Sequence, residues 1–272
     1  MRHYAQLLRA TLTASLMLVA IAGAAVAGPF EDAAAAYQRG DYATAYQLLR
    51  PLADQGDADA QIKLGLMYAT GQGVPQNDAE AAKWMRLAAD QGSALAQYAL
   101  GGRYEHRMGV PQNYPEAAKW YRQAADQGYA DAQTNLGFMY SHGQGVPQNY
   151  ADALKWFRKA ADQGNPGAQC NLGLMYANGQ GVPQDYAEAV KWYRLAADQG
   201  FALAQFNLGV MWARGTGVPQ DYVSAHMWSN LAAAQGNTNA AKNRDTVAKR
   251  MTPAQIAEAQ KLAREWKPKP ER

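Results

Sequence analysis

Little in this chain speaks for chemistry. It holds one cysteine in 272 residues, Cys170, so no intrachain disulfide can form. It has 4 histidines and no His-Glu-x-x-His, Ser-x-x-Lys or Gly-x-Ser-x-Gly arrangement, which removes the common sequence signs of metal-assisted and nucleophilic hydrolysis. No phosphate-binding loop is present, and no cofactor is expected. Charge of one sign is missing as well: 26 Lys and Arg against 23 Asp and Glu leave a formal charge of +3. Arg2 and Arg9 precede everything that recurs in the chain, and without them the charge falls by two to +1. A nearly neutral surface lacks the concentrated basic patch that phosphate-backbone binding needs, so nucleic acid is excluded as a partner.

What the chain does have is a repeat. Leu64-Gly65, Leu100-Gly101, Leu136-Gly137, Leu172-Gly173 and Leu208-Gly209 recur every 36 residues. Pro75, Pro111, Pro147, Pro183 and Pro219 follow at a constant offset, as do Trp84, Trp120, Trp156 and Trp192. A period of this size implies stacked supersecondary units rather than a globule. Within one unit, Ala132, Leu136, Met139 and Tyr140 have helical spacing, and so do Ala153, Trp156, Phe157 and Ala160. Between them, His142-Gly143-Gln144-Gly145-Val146-Pro147-Gln148 cannot continue a helix, because its glycines permit positive φ and Pro147 disfavours a helical Val146. Each unit is predicted to be helix, glycine-rich turn, helix.

Start and stop signals agree with this. Asn77 with Glu80, Asn113 with Glu116, Asp185 with Glu188 and Asn149 with Asp152 have capping-box spacing before the second helices. Gly92, Gly128, Gly164 and Gly200 stand where left-handed C-caps belong. The glycine of each Leu-Gly pair lies inside a helix, where it costs about 1 kcal/mol relative to alanine. Close helix approach is the expected reason, with the ring of Trp84 or its equivalents in the space.

Before the repeats, Arg2 and Arg9 start a segment that continues as an apolar run from Thr11 to Ala27 and ends in Ala25-Val26-Ala27. This is the layout of a secretory signal peptide, with cleavage expected before Gly28 and no stable membrane insertion afterwards. An uncleaved anchor is the alternative, against which the short run counts. The organisation is therefore a leader at 1–27, a degenerate helical repeat at 28–57, five tandem repeats at 58–236, capping helices at 237–267 and a disordered tail at 268–272. The segment Thr252-Pro253-Ala254-Gln255 supplies a cap and a first-turn proline for the last helix.

The phrases Ala-Gln-x-x-Leu-Gly-x-x-Tyr, Gly-x-Gly-Val-Pro-Gln and Ala-x-Lys-Trp-x-x-x-Ala-Ala resemble the Sel-one-like repeat (SLR) family, relatives of the tetratricopeptide repeats with a longer turn. The resemblance covers Ala58 to Gly236. It implies an all-α, right-handed α-solenoid whose first helices line a concave surface, and a role as an adaptor or assembly protein, often in the bacterial envelope. Some cysteine-rich relatives are reported to bind or slowly hydrolyse β-lactams, but this chain lacks their paired cysteines.

Candidate residues come from comparing the repeats with one another. The position before Leu-Gly reads Lys63, Ala99, Asn135, Asn171 and Asn207. If it faces inward, the three asparagines form a ladder whose amides can donate to and accept from an extended peptide; the alternative is a structural role. One position earlier stand Ile62, Tyr98, Thr134, Cys170 and Phe206, among which Tyr98 and Phe206 are candidate apolar anchors. The second repeat carries Arg103-Tyr104-Glu105-His106-Arg107 where others have Met-Tyr-x-x-Gly, and Arg103 and Arg107 suit bidentate contact with a carboxylate. His106 and His142 share a repeat position, but two histidines without a third ligand make no metal site. Tyr114, Tyr150, Tyr186 and Tyr222, after each Val-Pro-Gln, could stack on envelope glycan. The expected function is a non-catalytic, periplasmic or secreted scaffold that binds a protein or peptide, with the glycan reading behind it and a weak hydrolase last.

Overall fold

A computed structural model describes residues 28–269, so the expected leader at 1–27 lies outside the described residues. Among the described residues the protein is entirely helical, an α-solenoid built from α1 (Pro29–Gln38), α2 (Tyr42–Asp54), α3 (Ala58–Thr70), α4 (Asp78–Asp90), α5 (Ala94–His106), α6 (Tyr114–Asp126), α7 (Ala130–His142), α8 (Tyr150–Ala161), α9 (Pro166–Asn178), α10 (Tyr186–Asp198), α11 (Ala202–Arg214), α12 (Tyr222–Ala234), α13 (Thr238–Ala248) and α14 (Pro253–Glu265). Two compact units result. One holds α1 to α6 with the turn at 144–146, and the other holds α7 to α14. Consecutive helices pack on one another from α1 to α6 and from α7 to α13, and α14 packs on α12.

The repeated phrases each have a structural task. The leucine of every Leu-Gly pair is fully buried. A Cβ on the following glycine would meet Met85 at Gly65, Tyr121 at Gly101, Phe157 at Gly137 and Tyr193 at Gly173, at 3.0, 2.7, 2.8 and 2.6 Å. The close approach is therefore real, but the partner is the residue after the tryptophan, not the tryptophan. The indole instead lies under a cation from the preceding repeat. Arg50 stands over Trp84, Arg86 over Trp120, Arg158 over Trp192 and Arg194 over Trp228, at 5.3, 5.2, 4.7 and 5.0 Å from the ring centroids. Each such contact contributes about 0.5–1 kcal/mol at an exposed site, so the repeats are tied together along their second helices.

A second tie is half-buried. The glutamine of Ala-Gln-x-x-Leu-Gly pairs with that of Ala-Ala-Asp-Gln-Gly in its own repeat and also bonds a carbonyl of the preceding repeat's second helix. Gln61 Nε2 donates to Ala53 O at 3.0 Å and its Oε1 accepts from Gln91 at 2.8 Å. Gln97, Gln169 and Gln205 repeat the pattern with Ala89 and Gln127, Ala161 and Gln199, and Ala197 and Gln235. These amides give helix-end carbonyls, which already accept a backbone N–H of the following turn, a second donor from the next repeat.

The caps form as single bonds more than as reciprocal boxes. Asn77, Asn113, Asn149 and Asp185 all accept from backbone N–H groups of the first turn. The full box occurs at Thr252 and Gln255. At the turns, Gly71, Gly143, Gly179 and Gly215 are left-handed, and Arg107 holds the same conformation at φ 58° in the second repeat. No other non-glycine residue among the described ones has positive φ. Left-handed backbone costs an L-residue about 1 kcal/mol. Arg107→Gly is therefore expected to raise unfolding stability by about 0.5–1 kcal/mol, read as a higher urea midpoint at unchanged slope.

At the C-terminal end α14 packs back on α12, and Trp266 meets Trp228 edge-on at 6.2 Å. Lys269 is the last described residue of the tail. Its N–H donates to Asp198 O at 2.8 Å and its Nζ reaches the Asp198 carboxylate at 3.0 Å. No helix among the described residues is long and apolar enough to cross a membrane.

Candidate functional site

The repeat register places Asn135, Asn171 and Asn207 at one position on α7, α9 and α11. All three are half-buried rather than enclosed. Asn171 Nδ2 donates to Gly167 O of its own helix at 2.9 Å, and Asn207 Nδ2 lies 3.9 Å from Cys170 Sγ, which shows α11 beside α9. Asn135 has no side-chain partner among the described residues, and none of the three Oδ1 atoms carries a hydrogen bond there. An amide in that state can still accept, and Asn135 can also donate.

Three residues further along each helix stand Phe138, Leu174 and Val210. Phe138 is 38% and Leu174 43% exposed, among the most exposed large apolar side chains of the protein. One more turn brings His142, Asn178 and Arg214. His142 stacks on Phe138 with ring centroids 3.9 Å apart, and its Nδ1 lies 2.8 Å from Ser141 Oγ. Asn171, Leu174, Asn178 and His142 border a cleft of about 270 Å³ that Tyr150 and Gln180 also line. The sequence offered no reason to single out Phe138 or Leu174. The signal was present, since the residue after Leu-Gly is apolar in four repeats although the helix's buried stripe is already complete without it.

The other candidates divide. Phe206 is half-buried on α11, where an anchoring role stays open. Tyr98 is not a free anchor: it is buried, with Tyr121 and Tyr129 at 5.8 and 5.0 Å. Arg103 is not a recognition residue either. It is buried, and its Nη1 donates to Asp78 O, Asp78 Oδ1 and Met108 O, each at 3.3 Å, so its charge closes the altered turn against the start of α4. Arg107 is exposed at that turn. Lys63 is half-buried with Nζ 5.5 Å over the Tyr37 ring, and burial pulls its amine down to about 8 while Asp59 opposes the shift.

Three of the four tyrosine hydroxyls that follow Val-Pro-Gln are engaged locally. Tyr114 and Tyr150 accept from Gln112 and Gln148, and Tyr222 accepts from Arg250. No group of three His, Cys, Asp or Glu among the described residues is placed to hold a metal. Cys170 is buried and burial pushes its thiol up to about 12. It is expected to resist a thiol reagent at pH 8 in the folded protein and to react fully in denaturant; rapid labelling of the folded chain would contradict the burial.

Comparison with known proteins follows the repeat. The family model described as Sel1 repeat matches residues 33–57, 58–93, 94–129, 130–165, 166–201 and 202–237. The solved Sel1 repeat protein from Oxalobacter formigenes is 33% identical, with a TM-score of 0.77, over 89% of this chain and 99% of that one. A protective antigen present in uropathogenic Escherichia coli strains, displaying an SLR fold, is 29% identical over 86% of this chain and 67% of that one, with a TM-score of 0.44. The immunity protein PA5088 from Pseudomonas aeruginosa shares the fold at 19% identity and a TM-score of 0.51, over 80% of this chain and 85% of that one. No curated protein matches the chain.

Proposed function

The chain belongs to the Sel1 repeat family, whose members generally serve as non-catalytic scaffolds for protein interactions, and from that premise we propose an exported scaffold that holds an extended segment of a partner protein on the first-helix face of α7, α9 and α11. We take this face to be the concave one, as the family resemblance implies. The observation that carries the reading is the pairing of two columns. Asn135, Asn171 and Asn207 keep unused amide oxygens, and Phe138 and Leu174 stand exposed beside them. Amides can bond any peptide backbone, while the apolar side chains select among sequences. Exposed apolar groups on a folded surface are what a partner covers.

A photo-crosslinking residue at Phe138 tests the reading against one at Leu195, which is 49% exposed on the second helix α10. The partner should be trapped from position 138 and not from 195; trapping from 195 alone would overturn the placement. Export is supported by the layout of residues 1–27. N-terminal sequencing of the protein from its host should begin at Gly28, and a retained Met1 would refute cleavage.

A further inference from the structure

The last repeat breaks the rule of the others along one helix. In α12, His226 stands where the earlier repeats have Ala82, Ala118, Leu154 and Val190. Asn230 replaces the arginine found at Arg86, Arg122, Arg158 and Arg194, and Ser229 replaces the residue that elsewhere covers the helical glycine. Ser229 has a structural explanation: its Oγ accepts from Asn243 at 2.9 Å and lies close to Gly209. His226 and Asn230 lead elsewhere. With Arg244 of α13 and Ile256, Gln260 and Arg264 of α14 they line a cleft of about 460 Å³.

Three features of the cleft point to a ligand. His226 is only 3% exposed, and its Nδ1 is buried without a hydrogen-bond partner among the described residues. A buried polar atom left so is a desolvation cost that an apolar residue, as in the other repeats, would avoid. Asn230 Oδ1 accepts from Arg244 Nη1 at 3.3 Å, so the substituted asparagine holds an arginine contributed from another helix. Arg264 has no ion-pair partner among the described residues.

Charge selects the ligand class. Arg244 is matched by Asp245, 2.8 Å away, and Asp245 also lines the cleft. Burial, and then the Arg244 charge, hold His226 below its ordinary titration range, so the imidazole is neutral at pH 7. The wall thus carries one net positive charge, at Arg264, with Ile256 and Ala248 as its apolar part. A dianion such as phosphate would face the Asp245 carboxylate; a single carboxylate on an apolar stem matches both parts. We propose that this cleft binds a carboxylate carrying a small apolar group, with Arg264 as its charge partner, Gln260 and Asn230 as amide contacts and His226 Nδ1 as a further hydrogen-bond partner. The site is separate from the face of α7, α9 and α11 and does not depend on it.

The test is titration of the purified protein, followed through the Arg264 Nε–H and the Asn and Gln side-chain amide signals by NMR. N-acetyl-leucine should shift the Arg264 and Gln260 signals saturably, and N-acetyl-leucinamide should bind at least about tenfold more weakly. Arg264→Gln, at an exposed position, should weaken the acid by about tenfold or more. His226→Val restores the residue type of Val190; it should abolish binding with the unfolding midpoint unchanged or raised. An N-acetylated tetrapeptide acid ending in leucine separates the sources: tighter binding than N-acetyl-leucine identifies a polypeptide C-terminus, and equal binding identifies a free acid. Equal binding of acid and amide, saturable binding of inorganic phosphate alone, no saturable shift, or binding unchanged in both variants would overturn the proposal.

Discussion

Gly217→Ala is expected to cost about 2–4 kcal/mol, read as a large fall in the urea midpoint. Gly217 has φ +72°, and a Cβ built on it would press on the carbonyl of Tyr186, with the Tyr186 carbonyl carbon at 2.6 Å. Tyr186 begins α10, the second helix of the preceding repeat, so backbone lies against backbone where consecutive repeats stack. Neither side can rotate away, as a side chain could. Gly215→Ala supplies the internal control. Its φ is +66°, but the nearest atoms to its Cβ belong to Gln220 of the same turn, at 3.2 Å. It should lose mainly the left-handed preference, about 1 kcal/mol. Equal losses for the two substitutions would show that the turn's second glycine serves local geometry alone and not the stacking of repeats.

Gln205→Ala is expected to cost about 2–4 kcal/mol, although nothing charged and no large apolar group is removed. The side chain is fully buried at 0% exposure. Its Nε2 donates to Ala197 O at 3.2 Å and its Oε1 accepts from Gln235 Nε2 at 2.9 Å. Alanine would remove the Ala197 carbonyl's link to the next repeat, break the bond to Gln235 and open a cavity in the core. The pairing also predicts non-additivity. The double variant Gln205→Ala/Gln235→Ala should be less destabilised than the sum of the two single variants, by about 0.5 kcal/mol or more in a double-mutant cycle. Additive effects would mean that the two amides do not act as a pair.

The architecture was legible from the sequence because it rests on residues with narrow conformational roles. Glycine at the turns, asparagine and aspartate at helix starts, and leucine at a fixed period each admit few structural readings. The matching of residues across helices was not legible to the same degree. Helical periodicity marks a face about a third of the helix wide, so it did not distinguish Trp84 from its neighbour Met85 as the residue packed on Gly65. Arg103 looked available because arginine is seldom buried, yet its partners Asp78 and Met108 lie in a helix start and a turn whose positions only the fold supplies. The glutamine pairs, each with one buried member, were hidden for a related reason: each joins residues 30 apart, and neither member alone signals burial. At the candidate face the asparagine column followed from repeat register, whereas the exposure of Phe138 and Leu174 followed only from packing.

A partner held on the first-helix face of α7, α9 and α11 should depend on the asparagine column. The most direct measurement is the dissociation constant of the crosslink-identified partner for the native protein and for the Asn135→Ala/Asn171→Ala/Asn207→Ala variant, after circular dichroism and urea unfolding show both folded alike. The triple variant is expected to bind about tenfold or more weakly, given amide contacts worth about 0.5–1.5 kcal/mol each. Equal affinity for the native protein and the triple variant would contradict it.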